Sequence, residues 1–241
     1  MTTPCYCRVF GDPAALARAA AEAFVHSCRE AILSRGRFVV ALSGGSTPKA
    51  LHHLLAAHPY RDYVEWDRVH FLFGDERFVP PNDDQSNENM ARSTLLDFVP
   101  TPASQIHGMY ADMSAEDAAT RYETLVRSLL GEEGRIDLTL LGLGPDGHTA
   151  SLFPGRPTVH VTDKWVVAAQ ANVGVGERIT MTVPLLNHSR QVMFLVAGAD
   201  KAPALKRVLT GVENWDETPA QAVARHGDNV HFLVDAAAQA G

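Results

Sequence analysis

Residues 142–155 read Gly142-Leu143-Gly144-Pro145-Asp146-Gly147-His148-Thr149-Ala150-Ser151-Leu152-Phe153-Pro154-Gly155. Three glycines and a proline within six residues specify a tight backbone that presents one aspartate and one histidine. Histidine is the natural general base near neutral pH. A carboxylate beside it can fix its tautomer and support the imidazolium. His148 is therefore the candidate base. Asp146 and Asp75 are both candidates to orient it, and the sequence does not choose between them. The backbone N–H groups of Gly144 and Gly147 are candidate donors to an oxyanion.

Three other segments offer anion contacts. Ser43-Gly44-Gly45-Ser46-Thr47-Pro48 joins an apolar run to a helix start. Its glycines allow close approach of the backbone, and its N–H groups and hydroxyls suit a phosphate. It is neither a Walker A loop nor a dinucleotide fingerprint. Gly74-Asp75-Glu76-Arg77 follows a second apolar run, and Arg77 can grip a phosphate bidentately. In Gly198-Ala199-Asp200-Lys201, the lysine sits at a helix start. Arg178 precedes the apolar stretch 181–186.

These segments must be positioned by alternating strands and helices. Asp12-Pro13 reads as an N-cap and first-turn proline, with Leu16, Ala20, Ala23, Phe24, Ser27 and Ala31 on one face and Gly36 at the end. Phe38–Leu42, Val69–Phe73 and Ile136–Leu141 read as strands buried on both sides. Trp165–Ala169, Val192–Ala197 and Val230–Val234 are further strand candidates. Helices are expected from Thr47-Pro48, from Ser86 through Thr94, from a Ser114/Asp117 capping box, around Ala202 to Leu209, and from Pro219. Strands spaced by helices imply an α/β fold, a three-layer α/β/α sandwich around a mostly parallel, Rossmann-like sheet. Ligands in such sheets sit beyond the carboxyl ends of the strands, at the loops after residues 42, 73, 141 and 197.

Composition narrows the function. The net charge of −7 argues against a nucleic-acid binder and requires any anion site to focus its cations locally. No apolar run approaches the ~18 residues of a membrane span. The first ten residues show no basic segment followed by an apolar one, so no secretory leader is expected. Cys5, Cys7 and Cys28 are odd in number and match no zinc spacing, so they read as incidental thiols in a reducing, cytoplasmic setting. His52, His53 and His58 lie on or beside a helix and are expected to be solvated. With no repeat or long linker, residues 1–241 are expected to form one domain, acting as a monomer or weak homodimer.

Taken together, the loop at 43–48, Gly74-Asp75-Glu76-Arg77-Phe78-Val79-Pro80, Asp84-Gln85-Ser86-Asn87, 142–155 and 198–201 resemble the 6-phosphogluconolactonases. Less closely, they resemble the glucosamine-6-phosphate deaminases of the same superfamily. The match runs in order from about residue 9 to 235. The resemblance implies a glucosamine-6-phosphate deaminase/ribose-5-phosphate isomerase-like fold. It implies a hydrolase of the pentose phosphate pathway that acts on the δ-lactone of 6-phosphogluconate, without metal or organic cofactor. It also implies His148 as general base, with Arg77, Lys201 and the Ser43–Thr47 loop on the phosphate and Arg178 assisting. The deaminases typically read Asp-Gly-His-Ile-Ala-Phe-Asn-Glu-Pro at the third loop, and Phe153 stands here in place of their glutamate. They carry tyrosine where this chain has Arg77. Both differences favour the lactonase. One departure from the lactonases is His231 before Phe232-Leu233, where they often have tryptophan. The rivals are a deaminase or isomerase, and a non-catalytic sugar-phosphate sensor; the latter would need a DNA-binding domain for which the chain leaves no room. Ser151 is not in a G-x-S-x-G elbow, so direct water attack is expected rather than an acyl-enzyme.

Overall fold

The computed structural model describes residues 6–131, 134–172 and 174–240. Strand β1 (Tyr6–Phe10) leads to α1 (Pro13–Arg35). The Asp12 side chain accepts the Ala15 N–H at 2.7 Å, and Gly36 closes the helix at φ 76° with its N–H on the Ile32 carbonyl. Both ends match the expected caps. Strand β2 (Phe38–Leu42) is buried at every position, as its unbroken apolar run demands, and α2 (Ser46–Leu55) follows. Next come β3 (Val69–Phe73), β4 (Asp75–Arg77), α3 (Asn87–Thr94), α4 (Ala115–Leu130) and β5 (Leu138–Leu141). The chain continues through β6 (Val166–Gln170), β7 (Glu177–Met181), α5 (Val183–Asn187) and β8 (Val192–Val196). It ends with α6 (Ala202–Thr210), α7 (Ala220–Ala224), β9 (Val230–Asp235) and α8 (Ala236–Gln239).

Six strands form a parallel sheet in the order β1-β9-β8-β5-β2-β3, flanked by helices in a three-layer α/β/α arrangement. From β2 the chain first moves outward to β3. It later returns to the other side of β2, where β5, β8 and β9 are added in turn. The strand order therefore reverses between β2 and β5, and the loops leaving their carboxyl ends diverge. That divergence opens a crevice at the position expected for ligands.

Two expectations are corrected. The segment around 165–169 does not join the parallel sheet. It is β6 of a separate antiparallel sheet, ordered β4-β7-β6. Residues 75–77 are not a free loop but the edge of that sheet. Gly74 links the two sheets: its N–H donates to Leu42 of β2 at 2.8 Å, and its carbonyl accepts from Met181 of β7 at 2.8 Å. The small sheet packs on α4, where Arg127 lies 4.0 Å over the Trp165 ring.

His52 is also corrected. It is fully buried on α2 rather than solvated, because its position in the helix falls beside Leu51 and Leu55 on the core face. The Thr94 hydroxyl donates to the Met90 carbonyl, so it accepts from His52 Nδ1 at 3.0 Å. That fixes the neutral tautomer with its proton on Nδ1. Burial, with His53 nearby, pulls the ring down to about 4. Cys28 is buried and Cys7 exposed, while Cys5 lies outside the described residues. Among the described residues, no helix is long and apolar enough to cross a membrane.

Candidate active site

The crevice between the loops after β2 and β5 is a cleft of about 340 Å³. It gathers Ser43, Gly44, Gly45, Ser46, Thr47, Asp75, Arg77, Gly144, His148, Arg178 and Lys201. Five stretches far apart in sequence thus converge on one space. Of the candidate residues, Asp146 and Gly147 do not line it.

The loop after β5 is shaped by Gly147 at φ 96°, where its backbone passes against Thr218, and by Ala150, a non-glycine residue at φ 46°. His148 Nδ1 lies 2.6 Å from Asp146 Oδ1, and the His148 N–H also donates to that oxygen at 3.1 Å. A carboxylate can only accept, so Nδ1 carries the proton and Nε2 is the bare, basic nitrogen. Partial burial works against charge on Asp146, but the hydrogen bond and attraction from His148 win and hold its carboxyl below the ordinary range. The Phe153 ring lies 4.7 Å from the imidazole, tilted by 38°. An aromatic therefore covers that flank of the histidine.

Asp75 does not touch His148. Its Oδ2 accepts the buried Ser151 hydroxyl at 2.7 Å. Of the two aspartates left open by the sequence, Asp146 is the one in contact with the imidazole. The oxyanion expectation is corrected as well. The Gly144 N–H donates to the His148 carbonyl at 2.8 Å and the Gly147 N–H to the Gly144 carbonyl at 3.0 Å. Both amides are spent on holding the loop, so neither is free for a substrate oxygen.

The opposite wall is cationic. Arg77 of β4 and Arg178 of β7 are directly paired across the antiparallel sheet. Like charges in register are destabilising unless an anion lies between them. Burial, then repulsion from Arg77, makes the charge on Arg178 costlier than usual, with Asp75 and Glu76 offsetting part of this. The two guanidiniums are aimed by backbone carbonyls: Arg77 donates to Gln85 at 2.6 Å and Arg178 to Val175 at 2.9 Å. Lys201, 3.0 Å from Asp200, comes from the turn after β8.

The loop after β2 completes this wall. Gly45, at φ 108°, is the N-cap of α2 and supplies no side chain to cap it. First-turn N–H groups have no partner within their own helix, so a dipole end faces the cleft. Gly44 is hemmed in, because a Cβ there would collide with the Asn87 carboxamide.

Asn87, Thr149 and Leu195 also line the cleft, though the sequence reading gave them no role in the site. Asn87 Nδ2 donates to the Asp75 carbonyl at 2.9 Å. Its position directly after the N-cap Ser86 was a usable signal, since first-turn residues often face a ligand end. Between Asp75 and Arg77, Glu76 points away from the cleft. It accepts from the N–H groups of Arg77, Asn87 and Glu88 and from the Ser86 hydroxyl at 2.7–3.0 Å. Burial pushes its carboxyl up to about 7 against the pull of those four donors.

Residues 11–232 match the model of the family described as Glucosamine-6-phosphate isomerases/6-phosphogluconolactonase. The chain belongs to that family. It is 39% identical over 237 residues to the 6-phosphogluconolactonase of a Nostoc species, covering 96% of both chains. It is 40% identical over 218 residues to a rice (Oryza sativa) protein named "Probable 6-phosphogluconolactonase 3, chloroplastic". That match covers 86% of this chain and 66% of the rice protein, so the chain spans slightly less than two thirds of that relative's length. Among solved structures, 6-phosphogluconolactonase from Trypanosoma cruzi superposes with a TM-score of 0.88 at 28% identity, covering 100% of this chain and 98% of that one. The parallel sheet and flanking helices are thus those of this family.

Proposed function

We propose that this chain hydrolyses 6-phospho-D-glucono-1,5-lactone to 6-phospho-D-gluconate, in the oxidative pentose phosphate pathway. The observation that carries the reading is one cleft with a histidine base on one wall and an in-register arginine pair on the other. The names of its relatives support the same substrate. The phosphate docks against Arg77, Arg178, Lys201 and the first turn of α2. That anchoring uses binding energy remote from the reacting carbon to place the lactone carbonyl beside His148.

With Nδ1–H committed to Asp146, Nε2 takes a proton from water as the water oxygen attacks C1. The tetrahedral intermediate collapses with cleavage of the C1–ring oxygen bond. The imidazolium returns its proton to that oxygen, leaving a carboxylic acid that ionises. No acyl-enzyme is needed, and the Ser151 hydroxyl is committed to Asp75. Phe153 favours hydrolysis over ring-opening isomerisation, because it leaves no second acid against the histidine. The proposal extends to a cytoplasmic setting and to one catalytic unit over residues 1–241, working as a monomer or weak homodimer.

The test is proton release from freshly prepared lactone, corrected for spontaneous hydrolysis. Rapid enzyme-dependent release is expected. Binding without turnover would overturn the hydrolase reading in favour of a sensor, and ammonia release from glucosamine-6-phosphate would favour a deaminase.

A further inference from the structure

Glu76 is 2% exposed, and the mechanism above gives it no part. It is the middle residue of β4, and strand alternation turns it away from the cleft that Asp75 and Arg77 face. It meets the start of α3 instead. Its Oε1 accepts the Asn87 N–H at 2.7 Å and its Oε2 the Glu88 N–H at 2.8 Å. The N-cap Ser86 takes the Asn89 N–H at 3.1 Å and donates its own hydroxyl to Glu76 Oε2 at 3.0 Å. One carboxylate and one hydroxyl thus satisfy the opening N–H groups of α3, and the positive end of the helix faces an anion. The same carboxylate accepts the Arg77 N–H at 2.7 Å.

Two of these bonds lead directly to the cleft. Arg77 enters it with its guanidinium. Asn87 enters it with a carboxamide that donates to the Asp75 carbonyl at 2.9 Å and fills the space where a Cβ on Gly44 would stand. That carboxamide is wedged between β4 and the loop after β2. A shift of the Asn87 backbone moves the wedge, and a shift at the Arg77 N–H moves the cation beside it. Glu76 Oε1 holds both.

A neutral acid cannot hold them in the same way. It carries an O–H of its own, yet the groups against its oxygens are three N–H donors and a hydroxyl. The hydroxyl can reverse its bond, but an N–H cannot. Loss of the charge also weakens every bond that remains. Burial brings this change within reach of neutral pH, because it pushes the carboxyl up to about 7. The other charged or titratable groups around Glu76 are Asp75 and Arg77 on β4, Arg178 on β7, Glu88 of α3 with its partner Arg92, and Tyr122 of α4, whose hydroxyl burial pushes up.

We propose that Glu76 is a positioning residue for the anion end of the cleft: through Asn87 and Arg77 its carboxylate holds the loop after β2 and the arginine in register, and a proton on that carboxylate loosens the arrangement. This rests on the assignment of that end to a phosphate, but not on the identity of the lactone.

The experiment is calorimetric titration of the full chain with sulfate, which stays a dianion over the range in which a phosphate ester titrates, near about 6. The uptake that counts is the part that Arg77→Ala removes. Charge alone predicts tighter binding as pH falls, because Glu76 loses a negative charge near Arg178 and His148 can only gain a positive one. Positioning predicts the reverse. The ionised fraction of Glu76 falls about tenfold between about pH 8 and about pH 6, so wild-type affinity should fall by up to about tenfold over that interval. Glu76→Gln keeps the shape but sets an NH2 among donors. It should bind sulfate about tenfold more weakly than wild type at about pH 8, with no further loss at about pH 6. In the lactone assay at about pH 8 it should raise KM by a similar factor and leave kcat within about twofold. If Glu76→Gln does not fold, the wild-type profile decides alone. The proposal is overturned if wild-type affinity is constant or rises as pH falls, if Glu76→Gln matches wild type or keeps its pH dependence, or if no uptake depends on Arg77. Absence of lactone turnover with the sulfate profile intact would refute the substrate reading and leave the positioning role standing.

Discussion

Replacing Asp146 by asparagine isolates what its charge does for His148. The side-chain amide is nearly isosteric, and its oxygen can still accept from Nδ1, so tautomer and ring orientation persist. What is lost is attraction between the carboxylate and the imidazolium that forms in the transition state. At the observed 2.6 Å, Coulomb's law in a water-like dielectric gives about 1.6 kcal/mol. The water-like value is appropriate because the side chains are 31% and 43% exposed. At 1.36 kcal/mol per decade, that is about 15-fold in rate. Asp146 does not line the cleft, so KM should stay within about twofold and the loss should fall on kcat. The assay is pH-stat proton release from fresh lactone across a substrate range, corrected for spontaneous hydrolysis. An unchanged kcat, or a loss confined to KM, would refute the reasoning, because either result means that Asp146 does not stabilise charge on His148 during turnover.

Other outcomes follow from the same geometry. His148→Ala should cost ~10²–10⁴-fold in kcat, measured by the same assay; near wild-type turnover would remove the base. Arg77→Ala should chiefly raise KM for the phosphorylated lactone, about tenfold, and an unchanged KM would take Arg77 out of the phosphate site. Gly44→Ala should raise KM and lower thermal stability, because the new methyl must displace the Asn87 carboxamide beside the phosphate loop. His52 supplies a pH test. Its folded value near 4 is below its ordinary value, so the unfolded chain binds its proton first as pH falls. Its contribution is complete above about pH 6.5 and is lost on descending to about pH 4, on the order of 3 kcal/mol. Denaturant melts of His52→Gln should show a flatter pH dependence over that window than wild type.

Much of the fold was legible because local signals agreed with global demands. Asp12, Pro13 and Gly36 mark both ends of α1, and the run Phe38–Leu42 could belong only to a strand covered on both faces. The loop candidates were legible because glycines followed such runs. The antiparallel sheet was not legible. Asp75-Glu76-Arg77 has the composition of a surface turn, and its burial comes from pairing with residues a hundred positions away. Arg178 was noted for its charge, but its strand was hidden by the polar alternation of residues 177–180. His52 was misread because two adjacent histidines look solvated until the helix face is fixed by α1 and α3. The oxyanion candidates failed for a related reason: glycine content showed that the loop was tight, but not that tightness consumed the amides.

The alternation of β4 sends three consecutive charges to two different places. Asp75 and Arg77 face the cleft, while Glu76 clamps the first turn of α3. The cleft wall is therefore completed only when the small sheet docks beside the large one and α3 seats on Glu76. Turnover therefore depends on that docking as well as on the parallel sheet. A deletion of one residue in β4 would exchange clamp and cleft charges and would silence the enzyme with its central sheet still intact.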